Sequence, residues 1–164
     1  MSHVDFALIE TAPRHAAPTG KRAAARVEAG EVEFSIHHDL ALVEPVWRSL
    51  QGQGGCTPFQ TFEWLCAWQR NIGSRNGVLP CVVVARDPGG APLFVLPLAI
   101  QSHGLARELV WLGSDLCDYN APLLADAFGH LEREKFTALW RRLVARLQAD
   151  PHTRHDLIRL EKMP

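Results

Sequence analysis

The sequence lacks an excess of either charge: 17 lysines and arginines stand against 18 aspartates and glutamates, a formal charge of −1. No global field therefore argues for a nucleic acid or an anionic membrane as partner. No apolar run approaches the length of a membrane span. The stretch MSHVDFALIETAPRHAAPTGKRAAAR has no continuous apolar core after a basic start, so it does not read as a secretory signal. No CxxC spacing occurs among the four cysteines, Cys56, Cys66, Cys81 and Cys117. Without an export signal they are expected to be reduced thiols of a cytoplasmic protein. Their spacings with the eight histidines match no zinc pattern, and no metal is expected. No internal repeat is visible.

What is present suits one domain with a sizeable core: 164 residues, 47% hydrophobic and 21% charged. Residues 1–30, rich in Ala, Arg, Pro and Gly, have no useful period and read as a mobile leader. Arg14, Lys21, Arg22 and Arg26 read as its solvated charges, the alternative being contact with an acidic surface. From residue 31 the pattern changes. EVEFSIHHD alternates, with Val32, Phe34 and Ile36 on one face, and predicts a strand. It ends on His37 and His38, which point to opposite faces. Leu40, Val43, Trp47 and Leu50 follow at helical spacing, with Pro45 in the first turn or at a kink. In TPFQTFEWLCAWQR, Thr61 is a predicted N-cap and Glu63 lies where the helix dipole favours a carboxylate. Phe62, Leu65, Cys66 and Ile72 form the apolar stripe, and Gly73 ends the helix.

VLPCVVVARD and APLFVLPLAIQS are near-continuous apolar runs joined by DPGG, a hairpin buried on both faces. Pro97 lies mid-strand and cannot donate a ladder bond, which predicts a bulge or an edge. RELVWLG is a further strand, and residues 114–130 read as a loop. From Leu131 to Gln148 the helical period is clearest: Phe136, Leu139, Trp140, Leu143, Val144 and Leu147 form the stripe. Arg141, Arg142 and Arg146 lie off it as a solvated face. HDLIRLEKM reads as a last strand. Trp47, Trp111 and Trp140 are expected in the core. The order β-α-α-β-β-β-α-β describes an α/β (α+β) domain, with a mixed, mainly antiparallel sheet and flanking helices.

One grouping carries candidate chemistry. Asp115, Asp118, Tyr119 and Asn120 follow a strand end, where α/β folds often build sites. There Asp118 is a candidate general base for an acceptor hydroxyl or amine, Tyr119 a proton donor, and Asp115 and Asn120 acceptor-binding groups. The structural alternative is an Asx-turn loop with Tyr119 packed. In the second helix, Trp64 and Trp68 stand beside the apolar stripe, where plain packing is the ordinary reading. Cys66 is not read as a nucleophile, because no histidine stands beside it at an interpretable position.

The segments TPFQTFEWLCAWQR, VVVARDPGGAPLFVLPLAI and LVWLGSDLCDYNAPLL resemble the CelD/BcsL-type acyltransferases. These are GNAT-like (acyl-CoA N-acyltransferase fold) proteins linked to cellulose and exopolysaccharide synthesis. The resemblance runs from about Val32 to Glu161 and extends to FemABX-like enzymes, in which two GNAT-like halves share one chain. It implies transfer of an acyl group from acyl-CoA or acetyl-CoA to a small-molecule or saccharide acceptor, and a second helix that flanks the acceptor cleft, so that Gln60, Trp64 and Trp68 face it and an indole serves as a platform for a sugar ring. Most GNAT domains hold the CoA pyrophosphate in a glycine-rich loop after the fourth strand. The corresponding GSDLCDYNAPLL has Asp115, Asp118 and the single glycine Gly113, a poor phosphate cradle. Residues 31–164 are therefore expected to be an N-terminal GNAT-like half domain that lacks the rest of the fold. On this reading CoA binds mainly to a C-terminal half or a partner subunit, and this chain alone is inactive. The alternatives are a non-catalytic saccharide- or partner-binding module, or a truncated product without independent activity.

Overall fold

The computed structural model describes residues 32–53, 55–113, 116–128 and 133–163. The leader expected at 1–30, with its basic residues, lies outside them. Six strands form one sheet: β1 Glu33–His37, β2 Leu79–Arg86, β3 Pro92–His103, β4 Ala106–Trp111, β5 Leu123–Leu124 and β6 Leu157–Arg159. Three α-helices flank it: α1 Glu44–Gln51, α2 Phe62–Trp68 and α3 Arg133–Ala149. The path across the sheet is β1-β2-β3-β4-β6, with β5 also on β3. All pairs are antiparallel except β4 with β6, which run parallel with α3 as the crossover between them.

Both faces of the sheet are covered, as the continuous apolar runs of β2 and β3 require. Trp47, Leu50, Phe62, Leu65 and Trp68 of α1 and α2 pack on Val82, Val84, Val95, Ala99 and Val110. Leu139, Leu143 and Leu147 of α3 pack on Val83, Leu98, Ile100, Leu109 and Trp111. Each such fully buried aliphatic side chain contributes about 1.5–3 kcal/mol. The alternation of β1 assigns Val32, Phe34 and Ile36 to the α3 face. There the guanidinium of Arg142 donates to the Val32 carbonyl at 2.6 Å and lies over the Phe34 ring. Arg142 thus ties α3 to the first strand's edge of the sheet while lying, like Arg141 and Arg146, on the exposed face expected for them.

Local chemistry sets the helix ends. Pro45 sits in the first turn of α1, where its missing N–H is no loss. Thr61 caps α2 by accepting from the N–H of Trp64. Gly73 does not end that helix. The chain continues through a π-turn at Gln69–Gly73 and a tight turn at Ser74–Asn76, and stops at Gly77, whose φ is 68°. Gly73 has a different task. A Cβ there would lie 2.7 Å from the Trp68 ring and 2.2 Å from the Gln69 amide oxygen, so its bareness lets the turn close on the core.

Pro97 is neither at an edge nor in a bulge. It pairs with Val82 on one side, and its carbonyl accepts the N–H of Leu112 on the other at 2.8 Å. In an antiparallel ladder both polar groups of a residue face the same neighbour. The nitrogen of Pro97 therefore faces Leu112 and offers it no N–H. β4 ends at Trp111, and the chain leaves the sheet, returning as β5 opposite Phe94 and Val95. Residues 114–130, expected as a plain loop, thus include a strand of two residues and a 3-10 turn at Asp126–Phe128.

Candidate functional site

The excursion from Gly113 to Pro122 is the feature that organises the candidate site. Gly113 has φ 83°, and a Cβ on it would come within 2.7 Å of Leu65. Glycine is needed both for the turn and for the approach to α2. Two polar side chains then pin the loop from opposite sides. Gln60 donates its amide N–H groups to the carbonyls of Ala121 (3.1 Å) and Pro122 (3.2 Å), while its oxygen accepts the Thr57 N–H. Asn120 donates from its side chain to the Glu161 carbonyl and from its backbone to Lys162. The Lys162 ammonium donates to the Cys117 carbonyl at 3.0 Å. Lys162 holds φ 57°, the one left-handed non-glycine among the described residues. These bonds offset the steric cost of about 1–2 kcal/mol.

The predicted site residues divide accordingly. Gln60 and Asn120 are buried pins, and Trp68 is a core residue under the loop. Trp64 is 39% exposed at the rim, edge-on to Phe59 and donating its indole N–H to the Cys117 sulfur at 3.4 Å. Asp118 and Tyr119 face solvent, Tyr119 being 55% exposed, and neither makes a hydrogen bond or ion pair among the described residues. Asp115 lies outside the described residues. The fold therefore brings Trp64 to the loop that carries Asp118 and Tyr119, and withdraws Gln60, Trp68 and Asn120 from solvent. Burial raises the Cys117 thiol above its ordinary value, against a smaller pull downward from the Trp64 N–H, as suits a packed thiol.

Two of the loop's amides are occupied. Leu116 donates to the Gly113 carbonyl and Asn120 to Lys162. They form no open nest for a phosphate. Among the described residues no cluster of three or more His, Cys, Asp and Glu side chains is assembled. His37 shares a hydrogen bond with Ser35, and His38 donates to the Pro80 carbonyl. No helix among the described residues is long and apolar enough to cross a membrane.

On the opposite face of the sheet lies a feature that the periodicity did not reveal: an apolar cavity of about 310 Å³ between α3 and strands β3, β4 and β5. Leu139 and Leu143 roof it, and Trp111 and Pro122 stand at its wall. Phe136 was expected in the core as part of the α3 stripe. It is instead 54% exposed at the cavity, with Leu124 and Met163 also exposed there. Trp140 is only partly buried. The indole N–H of Trp111, on a residue 2% exposed, has no hydrogen-bond partner among the described residues. A buried donor left in that state costs about 1–3 kcal/mol. The trace it left in the sequence is Phe136, an apolar stripe residue of α3 that the sheet does not cover.

No protein-family model, no curated protein and no solved structure matches this chain.

Proposed function

We propose that this chain is the N-terminal, acceptor-side portion of a GNAT-like, acyl-CoA-dependent acyltransferase of the CelD type that serves exopolysaccharide synthesis. The succession of elements supports the reading. A strand, two helices and an antiparallel meander lead to β4, and a helix then crosses to a parallel partner. The loop after β4 carries Asp118 and the single glycine Gly113, and its Leu116 and Asn120 amides are bonded internally, which suits a phosphate poorly. On this reading CoA is held mainly by a C-terminal half or a partner subunit. The acceptor side falls to Trp64 as a platform and to Asp118 as a general base. Asp118 takes the proton from an acceptor hydroxyl or amine as the oxygen or nitrogen attacks the thioester carbonyl; the CoA thiolate leaves, and Tyr119 supplies its proton.

The test is to purify the native polypeptide, take its intact mass, and follow release of free CoA thiol from acyl-CoA with oligosaccharide acceptors. The expected result is a polypeptide about twice this length or more with acceptor-dependent release. Asp118→Asn lowers that release at least ~100-fold, the usual worth of a general base. A native chain of this length that releases no thiol would remove the enzyme reading. The exposed Trp64 beside the loop then favours a saccharide-binding module, seen as saturable quenching of tryptophan fluorescence by an oligosaccharide that Trp64→Ala abolishes.

A further inference from the structure

We propose that the cavity under α3 binds an unbranched aliphatic chain carrying one hydrogen-bond acceptor, the chemistry shared by a free fatty acid and a fatty-acyl thioester. The inference goes beyond the acyltransferase reading, because a chain lodges there whether or not transfer occurs.

Three observations carry it. The first is size and shape. Taking a methylene as about the size of a water, whose share of liquid volume is roughly 30 Å³, 310 Å³ matches a chain on the order of ten carbons. Phe94, Leu96 and Leu98, successive inward residues of β3, extend the floor over about 13 Å. The second is chemistry. The lining side chains are apolar apart from the indole N–H groups of Trp111 and Trp140, too few polar partners to hold water in a hydrogen-bonded site. The third is what remains unsatisfied. Phe136, Leu124 and Met163 stay exposed at the lining, and Trp111 keeps a buried donor with no acceptor among the described residues. An aliphatic tail covers the first group, and a carbonyl or carboxyl oxygen accepts from the second.

The experiment titrates the full chain with decanoic acid, decanoyl-CoA and, as controls, acetate and CoA, by calorimetry. Saturable one-to-one binding of the ten-carbon ligands and none of the controls is expected. Phe136→Glu, at an exposed helical position where the fold is retained, should weaken binding more than tenfold. Trp111→Phe loses the donor together with one of the two fused rings, and should weaken it at least about fivefold, the worth of one hydrogen bond. Comparable affinity for both ligands identifies the tail and acceptor alone as the recognised unit, as in a free fatty acid. Preference for decanoyl-CoA over both decanoic acid and CoA identifies the thioester. Absence of saturable binding to either ligand, or binding that neither substitution alters, overturns the proposal. Neither result depends on acyl transfer, so failure of the enzyme reading is seen separately in the thiol-release assay.

Discussion

The carbonyl of Pro97 accepts the N–H of Leu112 at 2.8 Å, and the reciprocal bond cannot form because Pro97 has no N–H to give. That half-made pair is where β4 stops and the excursion begins. Replacing Pro97 by Ala restores a donor aimed at the Leu112 carbonyl. The gain of a ladder bond, about 1 kcal/mol, is offset by the wider freedom of the unfolded chain, about 0.4–1 kcal/mol. Stability should thus change little, while a new, slowly exchanging amide appears at position 97. A rapidly exchanging amide there would show that something other than the missing donor ends the strand.

Gln60 holds two carbonyls of the excursion with one side chain. Gln60→Leu leaves those carbonyls and the Thr57 N–H without their partner. The expected loss is about 2–4 kcal/mol in urea unfolding, with faster amide exchange across 116–123. A variant within 0.5 kcal/mol of wild type, on the order of a neutral surface change, would mean that the loop is held by Asn120 and Lys162 alone.

Two glycines of the same turn should respond differently to Ala. At Gly73 the backbone is ordinary, but the added methyl meets the Trp68 ring and displaces Gln69, which donates to the Val78 carbonyl. Overpacking of this kind costs about 1–3 kcal/mol. At Gly77 nothing lies within 4 Å, and only the left-handed φ of 68° is strained, at about 1 kcal/mol. The diagnostic is the core. Gly73→Ala should alter the Trp68 fluorescence or indole NMR signal, and Gly77→Ala should leave it unchanged.

Cys81 is wholly buried in β2, and burial pushes its thiol up to about 12 from an ordinary 9.0. A raised acid of this kind stabilises the fold below pH 9, where both states are protonated. As pH rises from about 9 to 12 only the unfolded chain ionises, and stability falls by about 1.4 kcal/mol per unit. Cys81→Ala removes that slope. The two unfolding free energies, measured across this range, should converge as pH rises; parallel curves would contradict the burial account.

Most of the fold was legible because periodicity records burial. The alternation of β1, the two-sided runs of β2 and β3 and the stripe Leu139, Leu143, Leu147 all correspond to buried faces. Strand β5 was not legible: two residues have no period, and their place depends on where β4 is interrupted. Trp64 and Trp68 were alike in sequence, four residues apart on one side of a helix. The loop separates them, covering Trp68 near Gly113 and leaving Trp64 at its rim beside Cys117. Polar residues misled in a related way. Gln60 and Asn120 carry the amide chemistry that binds acceptors, and the same donors serve here to satisfy the chain's own carbonyls. The T-x-x-Q spacing of Thr57 and Gln60 was the one local hint of that use.

The sheet path also implies an order of assembly. Strands β2, β3 and β4 meet their neighbours through tight turns, the first closed by Asp87 and Gly90. By contrast β1 reaches β2 only after both α1 and α2, and β6 reaches β4 only after α3. Closing longer segments costs more chain entropy before any contact rewards it. The central meander is therefore the expected first-formed unit, and the two outer strands are the expected last to join and first to separate. The cavity under α3 and the Gln60-pinned loop both depend on parts that arrive late, so they belong to the completed molecule and not to its nucleus.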